Sequence, residues 1–460
     1  MKNKFLVAGL ALYIVAAALA LAGRHGGGLD PRVGEVIRWA ASISLIGFAV
    51  TRRSLTGWIL VGMVLGAEVG YDFPHFAVGL RIFSQIFLQL IRVIIAPLLF
   101  STLVSGIAGH ADLKKVGRMG VKSLIYFEVV TTIALFIGLA AINLNKAGVG
   151  VQLPVTAGAA QVAPTRPTAA EIILHIFPEN IAKSVAENQI LQVVVFSMIF
   201  GIALAMVDEK KRKPMMAFTE SLTEVMFKFT NIVMLLAPIG IAGAIAYTIA
   251  TTGFGVLYNL GQLVGTFYIA LFLFVFAVLL PSGWIAGVPM RQFSRAVTEP
   301  TTIAFSTTSS EAALPRAMEA MEAFGVPRQV VAFVIPLGYS FNLTGSTLYL
   351  ALASIFVAQV AGIHLTVGQQ LVMMLMLMLT SKGVAGVSRA SIIILLGASD
   401  QFGLPKEPIL LLLGVDQFLD MGRTAVNVIG NCLASAVVAR WEGEFRTENP
   451  SPSAVEAIAE

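Results

Sequence analysis

The sequence predicts an all-α, polytopic membrane protein, and three observations carry that prediction. Of its 460 residues, 57% are hydrophobic and only 12% charged, with a mean hydropathy of +0.84; soluble domains carry about twice that share of charge. Apolar stretches of about 20 residues, the length that crosses a bilayer core as a helix, recur along the whole chain. The alternating ten-residue segments of a membrane barrel are absent, so helices must satisfy the backbone. A chain with so little charge cannot cover itself with a water-facing surface, and much of its surface must face lipid.

The net charge of +5 and pI near 9.3 do not point to nucleic acid. The basic residues sit in short clusters at the ends of apolar runs, as cytoplasmic loops beside anionic lipid do. One cysteine, Cys432, excludes an internal disulfide and a cysteine-based metal site. The histidines His25, His75, His110, His175 and His364 lack ligand spacing, and no GxxxxGK[ST] loop is present. No cofactor is expected, and uphill movement of a solute would need an ion gradient or a separate partner. An intramembrane hydrolase is disfavoured, because Asp416 and Asp420 share one helix and no serine–histidine pair stands out.

The first apolar run, residues 5–23, follows Lys2 and Lys4 and ends in small residues, features shared by signal peptides. A second run, about 37–50, ends at Arg52 and Arg53. Residues 1–56 therefore read as an extra hydrophobic hairpin, with a cleaved signal or an anchor as the alternative. Spans follow near 57–71, 84–108 and 119–144. The loop holding Lys114, Lys115 and Arg118 is cytoplasmic by its charge. That puts 146–185, rich in Ala, Pro, Thr and Val, outside as an irregular excursion. The run at 188–207 ends at a cytoplasmic marker, Asp208-Glu-Lys-Lys-Arg-Lys213. Spans near 222–250 and 256–285 bring the chain back inside at Arg291 and Arg295.

The last third departs from simple crossing. Runs at 296–323 and 366–398 are interrupted by Ser306-Thr-Thr-Ser-Ser-Glu311 and Ser381-Lys-Gly-Val-Ala-Gly-Val-Ser-Arg-Ala390. Each has the length of two half-spans with a breaking tip, and each precedes a long span that holds polar residues, 328–361 and 405–440. Paired broken segments in matching positions point to a transporter's midplane solute site, since unwound backbone at that depth must line a cavity or a solute. Glu311 and Arg389 sit at the two tips and would pair if the tips meet; exchanging the two charges should then restore function lost on neutralising either. Residues 441–460 read as a cytoplasmic tail.

The last span carries polar residues at Asp416, Asp420, Arg423, Thr424, Asn427 and Asn431. Spacings of three and four put them on one stripe of a helix. A charge at the bilayer centre costs several kcal/mol, so Asp420 and Arg423 must face protein, water or a ligand. Either they form a structural ion pair, which their i, i+3 spacing allows, or Arg423 clamps a substrate carboxylate through its planar fork while Asp420 receives an ammonium group. One cation and one anion on the same face suit a zwitterion with an extra carboxylate. The stretch Ser340-Phe-Asn342-Leu-Thr344-Gly345-Ser346-Thr347 puts polar and small residues mid-span. It either unwinds and offers carbonyls to a hard cation such as Na⁺ or makes close helix packing.

Four segments, Ser309-Ser-Glu-Ala-Ala-Leu-Pro315, Asn342-Leu-Thr-Gly-Ser346, Lys382-Gly-Val-Ala-Gly-Val387 and Asp420-Met-Gly-Arg-Thr-Ala-Val-Asn427, resemble in order the signature stretches of the dicarboxylate/amino acid:cation symporter family, which includes the glutamate transporters. The resemblance covers about residues 57–440. It implies eight transmembrane helices plus two re-entrant helical hairpins in inverted repeats, assembled as a homotrimer in the inner membrane. It also implies an elevator movement of a transport domain (about 119–144 and 256–440) against a scaffold (about 57–110 and 188–250). The hydrophobic pair before residue 57 departs from the eight-helix pattern.

Carried over position by position, the resemblance places substrate contacts at Ser309 and Ser310 in the first tip and at Val387 in the second, the extracellular gate. It puts Ser346 and Arg423 at the substrate's side-chain carboxylate, Asp420 at its amino group, and Thr424 and Asn427 at its backbone. Asp420 argues for an amino acid over a plain dicarboxylate, and Arg423 for an acidic one. The expected function is not enzymatic: it is symport of glutamate or aspartate with protons and/or sodium. A C4-dicarboxylate carrier is the alternative, and a receptor or channel without stoichiometric transport is the reading from another class.

The departures lie among the ion-coupling candidates Glu128, Asn342, Thr344, Asn427 and Asn431. Sodium-coupled relatives have Asp where this chain has Thr344 and again where it has Asn431. Hard-cation affinity follows ligand charge, so a full sodium complement is doubtful and protons come first. Glu128, about two turns inside its span, is either the proton carrier or a structural carboxylate bonded to nearby hydroxyls. Leu350 stands where some relatives carry a proton-binding Glu.

Overall fold

Apolar runs bounded by charge become helices along the whole of the computed structural model. It describes residues 4–24, 31–108, 115–151, 177–187, 189–381, 390–402, 404–405 and 407–445, and every regular element among these is helical. The first two, α1 (Lys4–Arg24) and α2 (Pro31–Arg52), are the extra hairpin and pack on each other. Arg53, at φ 50°, turns the chain. Ser54 then caps α3 (Leu55–Asp72) by accepting a hydrogen bond from the Gly57 N–H at 3.2 Å. After a short α4 (Pro74–Gly79) come two long helices, α5 (Arg81–Ala108) and α6 (Lys115–Asn145). Of the excursion expected at 146–185, residues 152–176 lie outside the described residues, and α7 (Ile181–Ala186) leads into α8 (Ile190–Ala205).

The single span expected at 222–250 is instead two helices, α9 (Glu209–Met234) and α10 (Ala237–Thr252), bent by 48°. The cause is Pro238, which has no N–H to give the Met234 carbonyl, so the α ladder lapses there. Leu235 and Leu236 make tighter i→i−3 bonds to Ile232 and Val233. Proline leaves a second mark in α11 (Gly255–Ile285). Just before Pro281, residues Val275–Leu279 widen into a π turn, closed by the Leu280 N–H on the Val275 carbonyl.

The first broken run is α13 (Thr298–Thr307) and α14 (Ser310–Phe324), reached through α12 (Met290–Ala296). Its two arms pack together around Thr308, which sits in the left-handed region at φ 54°. The span expected at 328–361 is divided at Asn342–Leu343 into α15 (Arg328–Phe341) and α16 (Thr344–Val360). The second broken run is α17 (Val367–Ser381) and α18 (Ala390–Gln401). Its tip, residues 382–389, with Val387 and Arg389, lies outside the described residues. The last helix, α19 (Glu407–Glu442), is the hub: α10, α11, α13, α14, α15 and α16 all pack on it.

Lipid supplies no hydrophobic drive between helices, so close backbone approach matters. Gly62, Gly66 and Gly70 line one face of α3 at a spacing of four. A Cβ on Gly62 would lie 2.7 Å from the Pro238 carbonyl oxygen, and one on Gly70 2.6 Å from that of Ala246; one on Gly66 would run into the Ala242 backbone, 3.0 Å from its carbonyl carbon. Backbone cannot rotate away as a side chain can. Gly66→Val should therefore destabilise the protein by about 2–3 kcal/mol, the usual overpacking penalty, read as a lowered midpoint in detergent unfolding. Gly261, whose Cβ would meet nothing within 4 Å, is the matched control and should tolerate alanine.

The opposite face of α3 receives the hairpin. Val61 packs with Leu45 and Ala49 of α2. Beyond them Arg38 divides its guanidinium between two carboxylates, Nε to Glu68 (2.8 Å) and Nη2 to Asp72 (2.6 Å). Trp39 Nε1 donates to the second Asp72 oxygen at 2.9 Å. Both carboxylates are nearly buried, which makes this docking costly to break. At the other end of the bundle, Arg118 and Lys122 of α6 clamp Glu442 of α19, and Lys122 also donates to the Trp441 carbonyl at 2.8 Å.

Candidate functional site

The site forms where α16 begins against the middle of α19. Asn342 and Leu343 leave the helical region, at ψ 56° and 60°, so the first N–H groups of α16 have no intrahelical partner. Asn427 of α19 supplies one. Its Oδ1 accepts from the N–H groups of Gly345 (2.8 Å) and Ser346 (3.3 Å), and its Nδ2 donates to Ser346 Oγ (3.0 Å). The helices meet this closely because position 345 has no side chain: a Cβ there would be 2.8 Å from Arg423 Cα and closer still to its carbonyl oxygen. A broken helix is thus tied by one amide to the helix that carries the charges.

One turn away lies the charged group. Arg423 Nε donates to Asp420 Oδ1 at 2.7 Å, and Nη1 to Asp416 Oδ1 at 3.2 Å. Thr424 Oγ1 donates to the same Asp420 oxygen at 3.2 Å. The Arg423 guanidinium lies over the Tyr349 ring of α16, 4.6 Å from its centroid. All five residues are buried. The structural pair expected for Asp420 and Arg423 is therefore made, and Asp416 joins it from two turns away. Arg423 Nη2, Asp420 Oδ2 and the Tyr349 hydroxyl are among the atoms of the group that make no hydrogen bond. Buried charged groups seldom leave a donor and an acceptor unsatisfied, and here one of each sits at either end of the pair.

A second, neutral cluster lies two turns along α19. Asn342 Nδ2 donates to Asn431 Oδ1 at 3.0 Å, with both residues fully buried. Asn342 Oδ1, Asn431 Nδ2 and the buried Thr344 Oγ1 make no hydrogen bond. Gly338 of α15 leaves room for the Asn431 amide, since a Cβ there would lie 2.9 Å from Asn431 Cγ. The cluster offers oxygens but no carboxylate, which makes it a weak cradle for a hard cation.

At the first tip, Ser309 caps α14 by accepting from the Ala312 N–H at 3.2 Å, and Ser310 is buried. Glu128 lies half-buried on α6, next to Phe127, whose ring end would be 3.4 Å from a Cβ on Gly338. The structure thus brings together Asn342, Thr344, Ser346, Asp420, Arg423, Thr424, Asn427 and Asn431 at the α16–α19 contact. Two participants had no place among the expected site residues. Asp416 was visible in the polar stripe, and its seven-residue offset from Arg423 was the available signal. Tyr349 gave none, as one aromatic inside an apolar run.

Comparison with known proteins identifies the family. The model of the sodium:dicarboxylate symporter family matches residues 55–441. Among curated relatives, the chain is 42% identical over 400 residues to a proton/sodium-glutamate symport protein of Bacillus caldotenax, covering 85% of this chain and 95% of that protein. It is 39% identical over 411 residues to a proton/glutamate-aspartate symporter of Escherichia coli (strain K12), covering 85% and 94%. It is also 41% identical over 401 residues to a C4-dicarboxylate transport protein of Anaeromyxobacter sp. (strain K), covering 85% and 91%. With its long apolar helices and its buried charges gathered where a broken helix meets the last one, this multi-pass membrane chain belongs to the sodium:dicarboxylate symporter family.

Proposed function

We propose that the protein is a secondary-active symporter of the inner membrane that imports an acidic amino acid, glutamate or aspartate. The observation that carries this reading is the buried Asp416–Asp420–Arg423 group with Arg423 Nη2 and Asp420 Oδ2 unsatisfied. A substrate carboxylate satisfies the first and a substrate ammonium the second, so one zwitterion with a second carboxylate answers both. The relatives named as glutamate and glutamate-aspartate symporters support the same substrate. Ser346 Oγ, Thr424 and the serines of the first tip supply neutral hydrogen bonds. Because Asn427 is committed to the start of α16, it reaches the substrate backbone only if that start shifts. Equilibrium competition in detergent tests the reading: unlabelled glutamate or aspartate should displace labelled glutamate, and failure of both to bind would end it.

A C4-dicarboxylate carrier is the second reading, favoured by the relatives so named. Malate and succinate have no ammonium for Asp420, so they should compete poorly under the first reading and well under the second.

Protons are the leading coupling ion and Glu128 the leading carrier, because Asn342, Thr344 and Asn431 carry no charge to hold sodium. Installing the missing ligands should change that. Thr344→Asp combined with Asn431→Asp is expected to make uptake sodium-dependent, with an apparent sodium affinity at least tenfold tighter than in the parent. Equal sodium responses in both proteins would remove this cluster from the coupling path.

The packing supports an elevator architecture. Helices α3, α5, α8, α9 and α10 pack mainly on one another, as do α6, α11 and α13 to α19. The first group is the scaffold and the second the moving domain, with α13–α14 and α17–α18 as re-entrant hairpins. The family resemblance supports eight spans for the core, with α9 and α10 taken as one crossing, and a homotrimeric assembly.

A further inference from the structure

The hairpin α1–α2 precedes the family match, which begins at residue 55, yet its attachment reaches the joint between the two packing groups. That joint is the short connection from α10 to α11. Its Gly253 adopts φ 74° and ψ −179°, a conformation almost confined to glycine, so the direction of α11 is set at a single peptide. Phe254 follows at once. Its ring meets the Tyr71 ring edge-on, 4.9 Å between centroids, and Tyr71 is carried by the end of α3. The guanidinium of Arg38, from the hairpin, lies over the same Tyr71 ring at 5.1 Å while its nitrogens hold Glu68 and Asp72. A continuous line of contacts thus runs from α2 through Arg38, Tyr71 and Phe254 to the joint. The same end of the scaffold is stiffened separately, because Arg81 of α5 stacks on Tyr247 of α10 at 4.9 Å.

We propose that the N-terminal hairpin is a brace on the α10–α11 hinge: through Arg38 and Tyr71 it holds Phe254, and so favours the orientation of the moving domain seen here. The inference rests on the elevator reading above. Among the described residues the hairpin packs on itself and on α3, so it acts on the balance between orientations and not on the chemistry of binding. Tyr71 is the informative position, because its removal leaves both Arg38 ion pairs intact. Phe254 is its counterpart on the hinge.

Spin labels on Lys211 of α9 and Glu319 of α14 in the full-length protein in nanodiscs read the distance between the two groups. Tyr71→Leu and Phe254→Leu should each move the population out of the present distance by about two- to tenfold, the size expected for one edge-to-face ring pair. The double variant should move it no further than either single one. Ser44→Ala, which loses a hydrogen bond to the Phe5 carbonyl inside the hairpin, should leave the distribution unchanged. Two distances in the parent with unshifted populations in both ring variants, or additive shifts in the double variant, would overturn the brace alone. A single fixed distance in the parent under every ionic condition, with and without glutamate, would overturn the elevator reading and the brace with it.

Discussion

Arg423→Gln is expected to weaken binding of an acidic amino acid by thirty- to several-thousand-fold, roughly the 2–5 kcal/mol lost when one partner of a buried charge pair is removed. Two costs combine in that figure. The substrate's side-chain carboxylate loses a forked, charge-assisted donor, and Asp416 and Asp420 are left facing each other without their shared cation. The second cost falls on the fold as well as on binding. Combining Arg423→Gln with Asp416→Asn removes one of the two stranded carboxylates, so the binding loss can be read on folded protein. Asp420 keeps its place in that variant, and a neutral amino acid should therefore lose much less affinity than glutamate does. Equal losses for neutral and acidic ligands would mean that Arg423 acts through the fold and not on the second carboxylate.

Gly345→Ala should be nearly as damaging, although it adds a single methyl group. The methyl would have to occupy space held by the Arg423 backbone, 2.8 Å from its Cα. Neither helix can yield locally: α16 is buried along nearly its whole length and α19 is packed on several sides. The start of α16 must then lift, which stretches the two bonds from Gly345 and Ser346 to Asn427 and withdraws Tyr349 from Arg423. A destabilisation of about 2–4 kcal/mol follows from overpacking with loss of hydrogen bonds, together with at least a tenfold loss of substrate affinity. Gly368→Ala, at a position where the Cβ meets nothing within 4 Å, is the control in the same unfolding and binding assays. Wild-type affinity in Gly345→Ala would show that the α16–α19 contact does not set the site.

What the sequence made legible follows from the range of each physical signal. Apolar runs between charge clusters located the long helices, because bilayer thickness fixes length and composition together. The stripe from Asp416 to Asn431 was legible because helical periodicity is local. The hydroxyl-rich interruption at 306–311 located the break at Thr308, while at Asn342 the sequence left unwinding and close packing both open. The bend at Leu235–Leu236 was missed, since the residues around Pro238 are apolar enough to pass for one crossing. The pairing of Arg38 with Glu68 and Asp72 was missed for another reason: it joins two helices through a turn, and nothing in either run names its partner. The use of Asn427 as a cap for α16 depends on two segments about 80 residues apart meeting at one glycine, a tertiary fact that spacing along one helix does not contain.

The most direct test is uptake of labelled glutamate and aspartate by the protein in liposomes, with inward proton and sodium gradients imposed separately and the membrane potential clamped. Concentrative uptake of either acid under the proton gradient alone, lost in Arg423→Gln, is the predicted result. Uptake of malate or succinate in place of the amino acids, or no accumulation above equilibrium under any gradient, would contradict it.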